Sequence, residues 1–211
     1  MSLNRILTNE DRKHFEPLIK DMSETCPEMM SRKIGAANVQ QSFALDHVLT
    51  LLESPPFDGY GTICCAGSFE DTAGEFLRVM NYDITMVDPA INSDLHTIRT
   101  STDKKFDMVL SVSVLEHVQN DEEFIEDICV LLNPGGTAVL TCDFNDAYKP
   151  GDPLPATDVR FFTKHDLSER LVKVLESNGC ALADTPDWNA PPDFIYQGHL
   201  YSFATFVFTK S

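Results

Sequence analysis

At 211 residues, the chain is long enough for one well-buried core and short for two large domains. Its formal net charge of −17 repels phosphate backbones and anionic lipid headgroups at long range, which argues against nucleic-acid and membrane-surface partners. No stretch approaches the roughly 18 apolar residues of a membrane span, and the N-terminus lacks the apolar core of a secretion signal, so a cytoplasmic location is expected.

The six cysteines, at 26, 64, 65, 129, 142 and 180, show no CxxC spacing and are expected as reduced thiols that pack like small hydrophobes. Cys64 and Cys65 are neighbours in a strand-like run and should point to opposite faces of a sheet. Asp143 and His165 are too isolated to suggest a metal site.

In chain order, Asn9 to Arg32 reads as helix with breaks near Pro17 and Pro27. Asn38 to Glu53 is an amphipathic helix stopped by Ser54-Pro55-Pro56. Residues 1–58 therefore form a helical segment expected to pack on a core built by 59–211, the whole making one structural domain. From Tyr60 the pattern alternates. Thr62 to Ala66 is a short apolar run, Gly67-Ser68 a turn, and about Glu70 to Met80 a helix. Ile84 to Val87 is a second apolar run, closed by Asp88-Pro89, and a weaker strand is placed near Leu95 to Arg99. Phe106 to Val112 is the strongest buried strand, followed by a helix over Asp121 to Leu132 whose acidic first turn suits the helix dipole. Asn133-Pro134-Gly135-Gly136 reads as a turn and Thr137 to Cys142 as a strand. Such alternation implies an α/β fold with a doubly wound, mostly parallel sheet.

The last third departs from this rhythm. Asp146 to Asp158 reads as a loop, Thr163 as the cap of a helix over Leu167 to Ser177, and Cys180 to Ala183 as a strand. An irregular segment, Asp184 to His199, precedes a final strand over Tyr201 to Thr209.

In an open α/β sheet, ligands bind outside the carboxyl ends of the strands. Gly67-Ser68 ends the first strand of the alternating region and Asp88 ends the second. A carboxylate about 21 residues beyond a first-turn glycine is placed to accept the hydroxyls of an adenosine ribose.

The segment Phe106 to Val118, read as Phe-Asp, apolar strand, then Leu115-Glu116-His117-Val118, resembles the fourth-strand motif of class I S-adenosylmethionine-dependent methyltransferases. Leu131-Leu132-Asn133-Pro134-Gly135-Gly136 is similar to the turn that precedes their fifth strand. With Gly67 and Asp88, the resemblance covers about residues 60–143, and Val159-Arg160-Phe161-Phe162-Thr163 is a fainter match to the C-terminal part of small-molecule members. The resemblance implies a Rossmann-like, seven-stranded sheet with an antiparallel last strand. It also implies S-adenosylmethionine as cofactor, S-adenosylhomocysteine as product, and a small polar acceptor such as a sugar or other metabolite hydroxyl or amine.

Carried over by residue, the resemblance implies that Gly67 and Ser68 approach the methionine portion of the cofactor. Asp88, followed by Pro89, would hold the ribose, and Ser111, Val112 and Ser113 would line the cofactor and face the acceptor. A residue near Ser101 or Thr102 would touch adenine. The family's first motif carries a strand acid and several glycines, whereas this chain reads Cys64-Cys65-Ala66-Gly67-Ser68-Phe69-Glu70-Asp71. Glu70 or Asp71 could meet the cofactor's ammonium group instead, or sit in a solvated loop.

A hydroxyl acceptor needs a base, and His117 is the candidate because imidazole titrates near neutrality; its alternative is a helix-start histidine that packs over the pocket. Glu116 reads as a structural or electrostatic residue. Asp143, Tyr196 and His199 are candidates for shaping the acceptor pocket, and Trp188 and Phe161 for walling it. A nicotinamide-dependent oxidoreductase would need a GxGxxG turn, which is missing. A non-catalytic cofactor-binding or scaffolding relative is the other reading that the glycine-poor first motif leaves open.

Overall fold

The computed structural model describes residues 2–57 and 59–211. Four parallel strands form the centre of its sheet: β2 (Ile63–Ala66), β3 (Ile84–Val87), β4 (Phe106–Val112) and β5 (Leu132–Phe144), in the spatial order β3-β2-β4-β5. The 12-residue strand β8 (His199–Lys210) runs antiparallel to β5, pairing Thr137 with Thr209 through to Phe144 with Ser202. Its other side is covered in three pieces by β1 (Ile6–Leu7), β6 (Cys180–Leu182) and β7 (Phe194–Tyr196), all antiparallel to it. Among the described residues the sheet thus counts eight strands, one more than the expected seven. The short strands β1 and β7 carry too few residues for a period-2 pattern to show in the sequence.

Helices cover both faces, as the apolar strand runs require. The N-terminal helices α1 (Asn9–His14), α2 (Glu16–Thr25), α3 (Pro27–Met30) and α4 (Asn38–Leu52) lie on one side with α5 (Thr72–Val79). Pro17 and Pro27 each fall in the first turn of their helix, where the missing N–H costs nothing. On the other side lie α6 (Leu95–Ser101), α7 (Asp121–Leu131) and α8 (Leu171–Ser177). Each face has its own buried cluster. Cys64, Val109 and Leu140 belong to the α7 side and Cys65, Leu110 and Val139 to the α4 side. The neighbouring cysteines do point to opposite faces, and all six cysteines are buried free thiols.

The weak strand expected over Leu95 to Arg99 is instead α6. The side chain of Asp94 caps it by accepting the backbone N–H of Thr97 at 2.7 Å. Leu95 and Ile98, three apart, then face the core together, a spacing that suits a helix and would put strand residues on opposite faces.

The motif residues around β4 and β5 are architectural. The Asp107 carboxylate accepts the backbone N–H of Thr62 at 2.9 Å, the Thr62 hydroxyl at 2.8 Å and the Asn133 amide at 2.8 Å. One side chain thereby ties the start of β2, the start of β4 and the bulged entry to β5. Gly136 sits there because a Cβ would lie 2.9 Å from the Asn133 carbonyl oxygen and 3.0 Å from that of Asp107. Partial burial pushes the Asp107 carboxyl up, but the hydrogen bonds from Thr62 and Asn133 outweigh it and hold it below the ordinary carboxylate range. A lowered folded-state pKa stabilises above the unfolded value and ceases to do so as pH falls through the folded one. Asp107→Ala should therefore cost about 1.5–3 kcal/mol at neutral pH. In urea titrations the deficit should shrink as the pH drops below the carboxylate range; a pH-independent deficit would deny the charged hydrogen bonds their part.

Candidate functional site

The strands β2, β3 and β4 all end at the same edge of the molecule, and their turns set the site. Gly67 follows β2 with φ +82°, a left-handed conformation that glycine adopts without strain. Its missing side chain leaves room for Val114: a Cβ on Gly67 would lie 2.2 Å from Val114 Cγ2. Ser113, at the end of β4, also has positive φ, +57°. This turns the chain sharply outward into the short 3-10 turn Leu115–His117. Ser113 is held there by its backbone N–H to the Thr141 carbonyl (3.1 Å) and its hydroxyl to Glu116 Oε1 (2.7 Å).

Two cavities flank the segment 113–118, one on each side of the Gly67–Val114 contact. The first, of about 360 Å³, is lined by Gly67, Asp88, Pro89, Leu95, Val114 and Gln119 among others. Asp88 stands at its rim and accepts the backbone N–H of Phe69 at 3.2 Å and of Ala90 at 2.7 Å. The glycine turn and the strand-end carboxylate, 21 residues apart in sequence, thus share one cavity. Ser101 and Thr102 are exposed at the far end of α6 and do not line it; Asp94, Leu95 and His96 at the start of α6 do.

The second cavity, of about 240 Å³, opens toward the N-terminal helices. It is lined by Lys33, Glu70, Val112, Ser113, His117 and a group of acids described below. Asp71 does not face it. It is buried as the cap of α5, accepting the Gly74 N–H at 2.6 Å, with Gln41 at 3.5 Å. Ser68 and Ser111 are buried, 2% and 1% exposed, and their hydroxyl oxygens have no hydrogen-bond partner.

Besides Glu70, the acids of this cavity are Glu116, Asp143 and Asp158. Glu116 is fully buried and Asp143 is 5% exposed, while the side chain of Asp158 is 3% exposed. Asp143 comes from the end of β5. Asp158 arrives from the long loop, which is folded back by the backbone bonds Val159 N–H to Glu116 carbonyl and Phe162 N–H to Asp143 carbonyl, both 2.9 Å. Arg160 fixes the same return by donating to Asp121 at 2.8 Å. The sequence motif around Arg160 and Phe162 is therefore what brings a third carboxyl to the site. Burial, then the neighbouring acids Glu116 and Asp158, push the Asp143 carboxyl well up. Burial likewise raises Glu116 and Asp158, against the opposing pull of His117.

His117 is 40% exposed at its side chain, with Nδ1 3.3 Å from Asp158 Oδ1 and 3.1 Å from the Thr157 carbonyl oxygen. A carbonyl only accepts, so Nδ1 carries the hydrogen and the neutral ring keeps its lone pair on Nε2. Tyr196 and Tyr201 line the same cavity. His199 does not; with Phe161 it lines a separate surface depression near Tyr148. Trp188 is a core residue, donating from Nε1 to the Thr205 carbonyl at 3.0 Å and packing on Phe206, and lines neither of the two cavities.

Sequence reasoning missed Asp158, Lys33 and Val114. Asp158 lies in a stretch whose composition says only loop, Lys33 lies in a segment without a motif, and Val114 acts through contact with a glycine 47 residues away, which no local pattern reveals.

The chain matches the family model described as "Methyltransferase domain" over residues 67–180, more than half its length. No curated protein matches the sequence. Among solved structures it is similar to the 1,6-didemethyltoxoflavin-N1-methyltransferase of Burkholderia thailandensis. The TM-score is 0.57 at 15% identity, over 97% of this chain and 92% of that one. It is also similar to TehB from Haemophilus influenzae, with TM-score 0.53 at 13% identity, over 79% of this chain and 62% of that one. These likenesses establish a Rossmann-like fold. Among the described residues, no helix is long and apolar enough to cross a membrane.

The buried acids generate a test. A carboxyl raised in the folded state binds its proton more tightly there than in the unfolded chain, so stability is lost as pH rises through the ordinary carboxylate range. Asp143→Asn removes that loss. The variant should unfold at higher urea concentration than the parent at pH 7. The gain should vanish at pH ~3, where both states of the parent are protonated. A variant less stable at neutral pH would show that the carboxylate is satisfied by its surroundings.

Proposed function

Because this chain belongs to the methyltransferase-domain family, we propose that it transfers a methyl group from S-adenosylmethionine to a small polar acceptor. The observation that carries this reading is the pair of cavities at the strand ends, one holding Gly67 and Asp88, the other His117 and Ser113. The residues fit the cofactor's chemistry. Asp88 offers carboxylate oxygens to the two ribose hydroxyls, and Pro89, Leu95 and Val114 offer apolar surface to a flat base. Ser68, with a buried hydroxyl that has no partner, and Glu70 offer polar groups to the amino-acid end. Lys33 offers a cation to its carboxylate. That ammonium is pulled down by burial, with Asp71 and Glu70 opposing.

When bound, S-adenosylmethionine supplies an electrophilic methyl carbon on a sulfonium. The chain's part is largely positioning, an effect worth up to ~7–11 kcal/mol. Ser113 and Val114 form the wall between the cavities, so a group bound across them would present its centre to the acceptor side. His117 Nε2 is an atom on this side suited to take a proton from an acceptor. A non-catalytic, cofactor-binding role is the second reading, favoured by the close Val114–Gly67 contact and the single glycine of the first motif.

Calorimetry with S-adenosylhomocysteine separates the two readings from the absence of any cofactor role. Binding should stabilise the protein by ~2.7 kcal/mol at a hundred times the dissociation constant. Asp88→Ala should weaken it by about 1.5–3 kcal/mol, and unchanged affinity would remove the ribose assignment. For a hydroxyl acceptor, His117→Ala should slow turnover by roughly 10²–10⁴ while cofactor affinity stays the same; full turnover in that variant would mean the imidazole is no base.

A further inference from the structure

The acceptor cavity has a chemical bias that the fold does not require. Three carboxyls meet in it, and each leaves one buried oxygen without a hydrogen-bond partner among the described residues: Glu116 Oε2, Asp143 Oδ1 and Asp158 Oδ2. Two of the three residues are more than nine-tenths buried. Such a group is costly to hold in a cavity, because like charges side by side cannot all ionise and an unsatisfied buried oxygen loses its hydration. The cavity's basic residues Arg32 and Lys33 reach none of these oxygens, and His117 meets only the other oxygen of Asp158.

The second observation is the aromatic surface beside the acids. Tyr196, Tyr201, Phe194 and Phe203 line the same cavity. Tyr201 packs edge-on to Phe194 at 5.2 Å between ring centroids, so the rings hold one another in place. Ring faces attract a cation, more strongly once it is out of water. A hydroxyl compound has one donor for these oxygens and no charge to set against the acids or the rings. An ammonium group would complete the orphaned oxygens with its N–H donors, relieve the repulsion between the acids and lie against the rings. The net charge of −17 would also draw a cation toward the protein.

We propose that the acceptor is an organic amine, bound as its ammonium form between the Glu116–Asp143–Asp158 carboxyls and the Tyr196–Tyr201 rings. The assignment rests on the methyl-transfer reading above and names its substrate class. The transfer balances as follows: the ammonium gives one proton to His117 Nε2, its freed lone pair forms the new N–C bond, and the S–C bond breaks with its electron pair left on sulfur. The three acids are thus positioning residues for the cation, and their neutral isosteres keep the shape of the cavity.

The test is calorimetry of the full chain, saturated with S-adenosylhomocysteine, against paired probes: butylamine with 1-butanol, and 2-phenylethylamine with 2-phenylethanol. At least one amine should bind tenfold or more tightly than its alcohol. Asp143→Asn and Glu116→Gln should each abolish that preference without changing affinity for S-adenosylhomocysteine, and urea titration of each variant confirms that it is folded. Tyr201→Phe, which keeps the ring, should retain the preference. Alcohols binding as well as amines, or no amine binding to a protein that does bind S-adenosylhomocysteine, would overturn the proposal. So would an equal loss of S-adenosylhomocysteine affinity in the acid variants, since the carboxyls would then serve the cofactor. Failure of S-adenosylhomocysteine to bind the parent, with amine preference intact, would count against the methyl-transfer reading alone.

Discussion

The register of β2, β4 and β5 is the constraint from which the rest of the molecule follows. These strands are parallel and buried on both faces, and a shift of one residue would exchange the two side-chain sets between the α4 and α7 sides. Asp107 fixes that register at the strand starts through Thr62 and Asn133, and Ser113 fixes it at the ends through Thr141. With both ends set, the turn at Gly67 and the segment after Val112 must meet, and they do so closely enough that only glycine fits opposite Val114. The two cavities are what remains on either side of that contact.

This geometry explains why polar and charged groups accumulate at one end of an otherwise apolar sheet. Strand interiors are closed by helices, so only the carboxyl ends and their loops can present chemistry. The loop after β5 carries this further by folding back over Glu116, which places Asp158 beside acids from two other elements. Stability and function pull in opposite directions there. A neutral core would be cheaper, and the raised carboxyls are the sort of local strain that persists where a ligand is to complete it.

Much of the fold was legible because its strands are short apolar runs bounded by Gly, Pro and Asp, and because helices such as α4 and α7 have clear caps or stops. The Phe-Asp and Asn-Pro-Gly-Gly signals were legible for an architectural reason, since they form the hydrogen-bonded knot at the strand starts. Leu95 to Arg99 is short enough to pass for a strand until the spacing of Leu95 and Ile98 is weighed together with the Asp94 cap. In the site, Gly67 and Asp88 are paired by their spacing together with the family resemblance, whereas Asp71, expected at the cofactor's ammonium group or in a solvated loop, is a buried helix cap. Asp158 and Lys33 could not be found, because loop return and cavity lining depend on contacts between distant segments.

The division of the outer side of β8 among β1, β6 and β7 bears on how the molecule behaves among its own copies. A 12-residue strand left bare would offer a long ladder of unpaired amide groups, a template on which another chain could zip. Three short covers, arriving from opposite ends of the sequence, leave no uninterrupted rail. At the opposite margin β3 is four residues long, too short to offer an intruding strand more than a brief ladder. The sheet thereby guards itself against sticking edge to edge, even though its middle is among the most apolar parts of the chain.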